Sequence, residues 1–175
     1  MSGMEALFAL QDEDVLRGQL EYRRARLPEG DALVAVRAAR TATTAEVEGL
    51  QVQRLDQARR QHRLEGDVAA IEVRLGELDQ RLYGSAITSP KEATALQNEI
   101  EGLRRRQDDL EGEVLEIMEA LEPVESRLDE LAAAGLAGDA EIEGARAALA
   151  DAEALIDGEL AESATRRDAA VGSLP

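Results

Sequence analysis

Cysteine and tryptophan are absent from these 175 residues, and only one phenylalanine, two tyrosines and one histidine occur. Without thiols the chain can form no disulfide, thiolate or cysteine zinc site, and cysteine usage says nothing about compartment. So little aromatic bulk does not fill an ordinary globular core of this size. The lone His62, within Arg59-Arg60-Gln61-His62-Arg63, has no second histidine or cysteine with which to share a metal, so it reads as part of a solvated helix face. No glycine-rich phosphate loop, nucleophile elbow or metal-ligand cluster is present, so no catalytic, cofactor-binding or metal residue is assigned and no enzymatic activity is expected. No apolar run approaches the ~20 residues that span a bilayer. The first ten residues lack the basic start of a secretory signal, with Glu5 and then Asp12, Glu13 and Asp14 instead. A cytoplasmic protein is expected.

What remains is charge and aliphatic spacing. A third of the residues are charged, and alanine, leucine, glutamate and arginine dominate, the composition of long helices or coiled coils. The formal charge is −17. Between Gln107 and Thr165 stand 18 acidic residues against Arg127 and Arg146, a net −16, which disfavours nucleic-acid binding along that stretch. Leu64, Val68, Ile71, Leu75, Leu78 and Leu82 alternate steps of four and three. The same register runs back through the polar Gln61, Gln57 and Arg54 to Leu50, Val47, Thr43, Arg40, Val36 and Leu33. Across that polar middle Val52, Leu55 and Ala58 are expected to take over the seam by a local shift. Downstream, one heptad register joins Ala93, Leu96, Ile100, Leu103, Gln107, Leu110, Val114, Ile117, Leu121, Val124, Leu128 and Leu131. It passes through Gly135 and Gly138 and continues to Ile156. Sustained apolar first and fourth heptad positions among charges argue for coiled coil. The second arm is expected to be one long helix, kinked at Pro123 and weak at Gly135 and Gly138.

Between the arms lies the one clear turn. Ser89 is a helix cap, Pro90 takes the first helical position, and Glu92 completes the capping-box spacing. Gly84 fits the end of the preceding helix. The pattern predicts an all-α fold, an elongated antiparallel coiled-coil hairpin over residues 31–175 with its tip at 83–89. A separate amphipathic helix occupies residues 1–27, with Phe8, Leu16, Leu20 and Leu27 as its contacts. Facing residue numbers are expected to add to about 172. That places Ile71 beside Ile100, Gly49 opposite Pro123, and the Pro28–Asp31 break near Gly135–Asp139. The first helix either continues the pairing along residues 142–170 or folds back.

The tip motif is specific. Leu82-Tyr83-Gly84, then Thr88-Ser89-Pro90-Lys91-Glu92, then Leu96-Gln97-Asn98-Glu99-Ile100-Glu101 resembles the hairpin of a bacterial coiled-coil family that carries a C-terminal four-cysteine zinc ribbon. Leu7, Leu10-Gln11, Arg23-Arg24 and Leu27-Pro28 are similar to that family's short first helix. The resemblance implies the rod portion of such a protein, with zinc held by a ribbon that is not among these residues. It also implies an adaptor role through protein contacts.

Two surfaces are candidates for function. Tyr83 and Ile87 at the tip either form a protein contact or cap the last core layer against Leu82 and Leu96. Arg59, Arg60 and Arg63, with Arg104, Arg105 and Arg106, form a basic belt at one height. The belt either binds RNA or pairs with nearby carboxylates, and no aromatic accompanies it to stack on bases. The expected function is a non-enzymatic adaptor or spacer with a protein partner. The alternatives are an RNA-binding protein, using the belt or the missing ribbon, and a structural coiled coil that self-associates.

Overall fold

The computed structural model describes residues 3–84 and 89–173. Three α-helices account for nearly all of them: α1 Gly3–Arg24, α2 Pro28–Tyr83 and α3 Pro90–Gly172. No strand occurs among the described residues. Helices α2 and α3 form the antiparallel hairpin. The boundaries follow from local chemistry. Pro28 opens α2, because proline at a first helical position lacks only an amide that has no partner there, while the residue before it is steered out of helix. Pro90 opens α3 in the same way, and the Ser89 carbonyl accepts hydrogen bonds from the Glu92 and Ala93 amides. Gly84 follows α2 without a positive φ, and a Cβ there would lie 2.7 Å from the Gln80 carbonyl oxygen. Helix α3 runs unbroken through Pro123, Gly135 and Gly138.

The chain packs as two units, Ala45–Ala132 and the pair of segments Met1–Thr44 with Ala133–Pro175. In the first, Leu78, Leu96 and Ile100 are buried together, with Leu75, Leu82 and Leu103 packed against them. These six residues sort into layers whose numbers add to 178, not 172: Leu82 with Leu96, Leu78 with Ile100, Leu75 with Leu103. Ile100 therefore packs with Leu78 rather than Ile71, and the expected pairing of Gly49 with Pro123 is likewise displaced. The turn is lopsided: α2 ends one residue after Leu82, whereas α3 begins six residues before Leu96.

The seam register itself holds. Every first and fourth heptad residue of α3 from Ala93 to Leu131 is buried or half-buried. In α2 the polar middle is not bypassed: Gln57 and Gln61 are half-buried, whereas Val52, Leu55 and Ala58 are exposed. The expected seam shift is wrong because α3 supplies the apolar surface there, through buried Ile117 and half-buried Leu121. The Gln61 amide donates to Glu65, one turn on, at 2.7 Å.

In the second unit the seam carries an arginine. The Arg40 side chain crosses Gly135 and Gly138, where added Cβ atoms would lie 3.5 Å from its guanidinium carbon and 3.2 Å from its Cδ. Its Nε donates to Asp139 at 2.7 Å and an Nη to the Thr44 hydroxyl at 2.7 Å. The two glycines thus make room for a half-buried arginine, and they face Arg40 rather than the Pro28–Asp31 break. That break lies beside Ala152, Leu155 and Ile156.

Helix α1 continues the antiparallel pairing along the end of α3, which the sequence left open. Ser163, fully buried, donates to a Glu13 carboxylate oxygen at 2.6 Å, and Arg166 Nε donates to the other at 2.6 Å. Arg167 donates to Asp14 at 2.7 Å, and Arg24 reaches both oxygens of Asp157. Ala6 and Leu20 are buried, and Leu16 and Leu27 half-buried. Phe8, expected among the contacts, is exposed instead.

Candidate functional site

Tyr83 ends α2, one residue beyond Leu82, which already packs into the last apolar cluster. The tyrosine is 84% exposed, so it does not fold down on Leu82 and Leu96. Ile87, its expected companion, lies outside the described residues. Ser89 and Pro90 sit exposed at the start of α3, and Thr94 locks the first turn by donating to the Pro90 carbonyl at 3.1 Å. Among the described residues, the last apolar cluster is complete without the tyrosine. A flat, amphipathic ring on the last residue of a helix offers contact area at low entropic cost, since only two torsions need fixing on binding.

The six belt arginines do not form one ring. Arg60 donates to Glu113 at 3.1 Å across the hairpin, and Arg104 lies 4.0 Å from Asp79. With facing numbers adding to 178, Arg60 stands level with residue 118, about thirteen residues of α3, or ~20 Å, from Arg104–Arg106. Arg59 lies 3.6 Å from Asp56. Arg63, Arg105 and Arg106 make no ion pair among the described residues. Arg74 bridges Glu99 and Glu77, and Arg127 grips both oxygens of Glu46 while also reaching Glu130. Hydrogen bonds from Arg127 hold the Glu46 carboxyl below its usual range, and the same pairing raises the arginine. Most of the ion-paired arginines among the described residues clamp one helix to another, as charges flanking coiled-coil seams do.

The sequence reading missed one surface entirely. Met4, Leu7, Phe8, Val15 and Tyr22 of α1 are all exposed, and the Arg26 guanidinium stacks 3.9 Å over the Tyr22 ring. The signal was present as a second apolar stripe on a helix whose first stripe had already been assigned.

No group of three or more histidine, cysteine, aspartate or glutamate side chains could hold a metal ion among the described residues. With no cysteine in the chain, a zinc ribbon does not fit on these residues. No helix of the described residues is long and apolar enough to cross a membrane.

Comparison with known proteins agrees with this architecture. An uncharacterized protein of Mycobacterium tuberculosis, found in two strains, is 31% identical over 157 residues, which is 90% of this chain. The chain spans only 61% of the length of those curated relatives. A solved structure from Mycobacterium smegmatis superposes with a TM-score of 0.84 at 25% identity, covering 99% of this chain and 72% of that one. Residues 10–175 match the CT398-like coiled coil hairpin domain, and the chain belongs to that family.

Proposed function

We propose that the chain is a non-enzymatic, cytoplasmic coiled-coil adaptor or spacer that presents a protein-binding surface at the turn end of its hairpin. The observation that carries this reading is Tyr83, an exposed aromatic on the last residue of α2, outside the apolar cluster that the described residues form there. The extensive cross-helix ion pairing supports the spacer role, because it fixes the register that sets where the tip sits.

Capture from a cell extract tests the proposal. Tyr83→Ala combined with Ile87→Ser should leave melting nearly unchanged and sharply reduce recovery of the bound protein. Charge reversal at Arg104, Arg105 and Arg106 should reduce it less. The alternative reading rests on Arg63, Arg105 and Arg106, which have no ion-pair partner among the described residues. If they bind RNA, affinity must fall steeply between two salt concentrations. Loss of RNA by the arginine variant, with every protein partner retained by the tip variant, would replace the adaptor reading.

A further inference from the structure

Helix α1 is apolar on two opposite faces, and among the described residues only one is covered. The inner face, with Ala6, Glu13 and Leu20, packs on α3. On the outer face Met4, Phe8, Val15 and Tyr22 stand 68%, 62%, 54% and 61% exposed. Their spacing of four, seven and seven residues keeps them in one stripe of a helix. Gln11 and Gly18 occupy the positions between, so the outer face repeats the alternating three-and-four spacing of a coiled-coil seam.

We propose that this outer face is an interface between two copies of this chain, α1 packed antiparallel against the partner's α1. Charge is the first argument. One flank of the stripe carries Glu5 near its start and Arg23 near its end, with Arg26 just past the helix, while Asp12 stands at its middle. An antiparallel copy lays each acidic end along the other's basic end, whereas a parallel copy would set like against like. Such self-complementarity is what a two-fold interface requires of its own surface. Size is the second argument. Antiparallel layers pair residues whose numbers add to about 26, placing Phe8 over Gly18, Tyr22 beside Met4 and Val15 beside Gln11. A Cβ built on Gly18 meets nothing within 4 Å in this chain, which leaves that space for the facing phenylalanine. Area is the third. The exposed parts of these apolar side chains offer roughly 500 Å² per copy, so about 1,000 Å² in total, at the lower limit for a specific interface. The dimer is therefore reversible.

Sedimentation equilibrium of the 175-residue chain, from micromolar to millimolar concentration, reads the association directly. The mass should rise toward twice that of the monomer. Phe8→Ala should raise the dissociation constant by about tenfold or more. Phe8→Glu with Tyr22→Glu should hold the chain monomeric while leaving helical content unchanged, since both side chains already face solvent. The absence of native cysteine permits a test of orientation. Separate Met4→Cys and Tyr22→Cys samples should form few disulfide dimers, and their mixture should form many. A chain that stays monomeric at every concentration would overturn the proposal, whatever else covers α1. So would a dimer that survives the paired glutamate substitutions, or cross-linking that is stronger in the separate samples than in the mixture.

Discussion

Replacing Gly138 by alanine sets two effects of similar size against each other. An alanine in a helix interior is worth about 1 kcal/mol over glycine. Gly144, two turns on in the same helix, has nothing within 4 Å of an added Cβ, so Gly144→Ala should show that whole gain. At Gly138 the new Cβ would lie 3.2 Å from Arg40 Cδ. Arg40 cannot easily retreat, because Asp139 and Thr44 hold its guanidinium at 2.7 Å each. The contact should cancel at least half the gain, leaving Gly138→Ala within about 0.5 kcal/mol of wild type, a typical off-rotamer cost being 0.5–1.5 kcal/mol. In an Arg40→Ala background the obstruction is gone, and the same substitution should again gain about 1 kcal/mol. Urea unfolding with all four proteins of the cycle measures this, provided the slope with denaturant is unchanged. Equal gains from Gly138→Ala in both backgrounds would refute the claim that the glycine is there to admit the arginine.

Three other outcomes follow from the packing and the charges. Ile100→Ala should cost roughly 2–4 kcal/mol and Glu101→Ala less than ~0.5; a double-mutant cycle should couple Ile100 to Leu78 and not to Ile71. Val52→Lys and Leu55→Lys should each change unfolding free energy by no more than ~0.5 kcal/mol, since both sites are exposed. Hydrogen bonds from Arg166 and Ser163 hold Glu13 below its ordinary value of 4.5, and arginine partners do the same for Glu46, Asp139 and Asp157. These carboxylates bind protons more weakly folded than unfolded, so their stabilisation is complete above the unfolded values and lost as pH falls through the folded ones. The melting midpoint should drop on acidification below about pH 4.5, and Glu13→Gln should flatten part of that slope.

The seam was legible residue by residue, because three-and-four spacing marks which side of a helix is covered whatever it packs against. It held even through Gly135 and Gly138. Registration between the arms was less legible. Both helix ends at the tip could be read, from Gly84 and from Ser89-Pro90. How far α3 runs before its first shared layer depends on the path of the turn, and that moved the facing sum from 172 to 178 and Ile100 from Ile71 to Leu78. Gln57 and Gln61 were misjudged because hydrophobicity was weighed on one helix alone, while the facing side supplied Ile117 and Leu121. Tyr83 was found as a candidate from its place in the motif, and its exposure followed only from seeing Leu82 complete the cluster. The outer face of α1 went unread because Phe8 was assigned to the covered stripe.

Placing a photoreactive phenylalanine analogue at position 83 and irradiating living cells tests the central functional claim most directly. The same group at Arg105 serves as the comparison. The account predicts a discrete protein adduct from position 83 and a weaker one or none from position 105. No protein adduct at position 83, with nucleic acid captured at position 105, would contradict it.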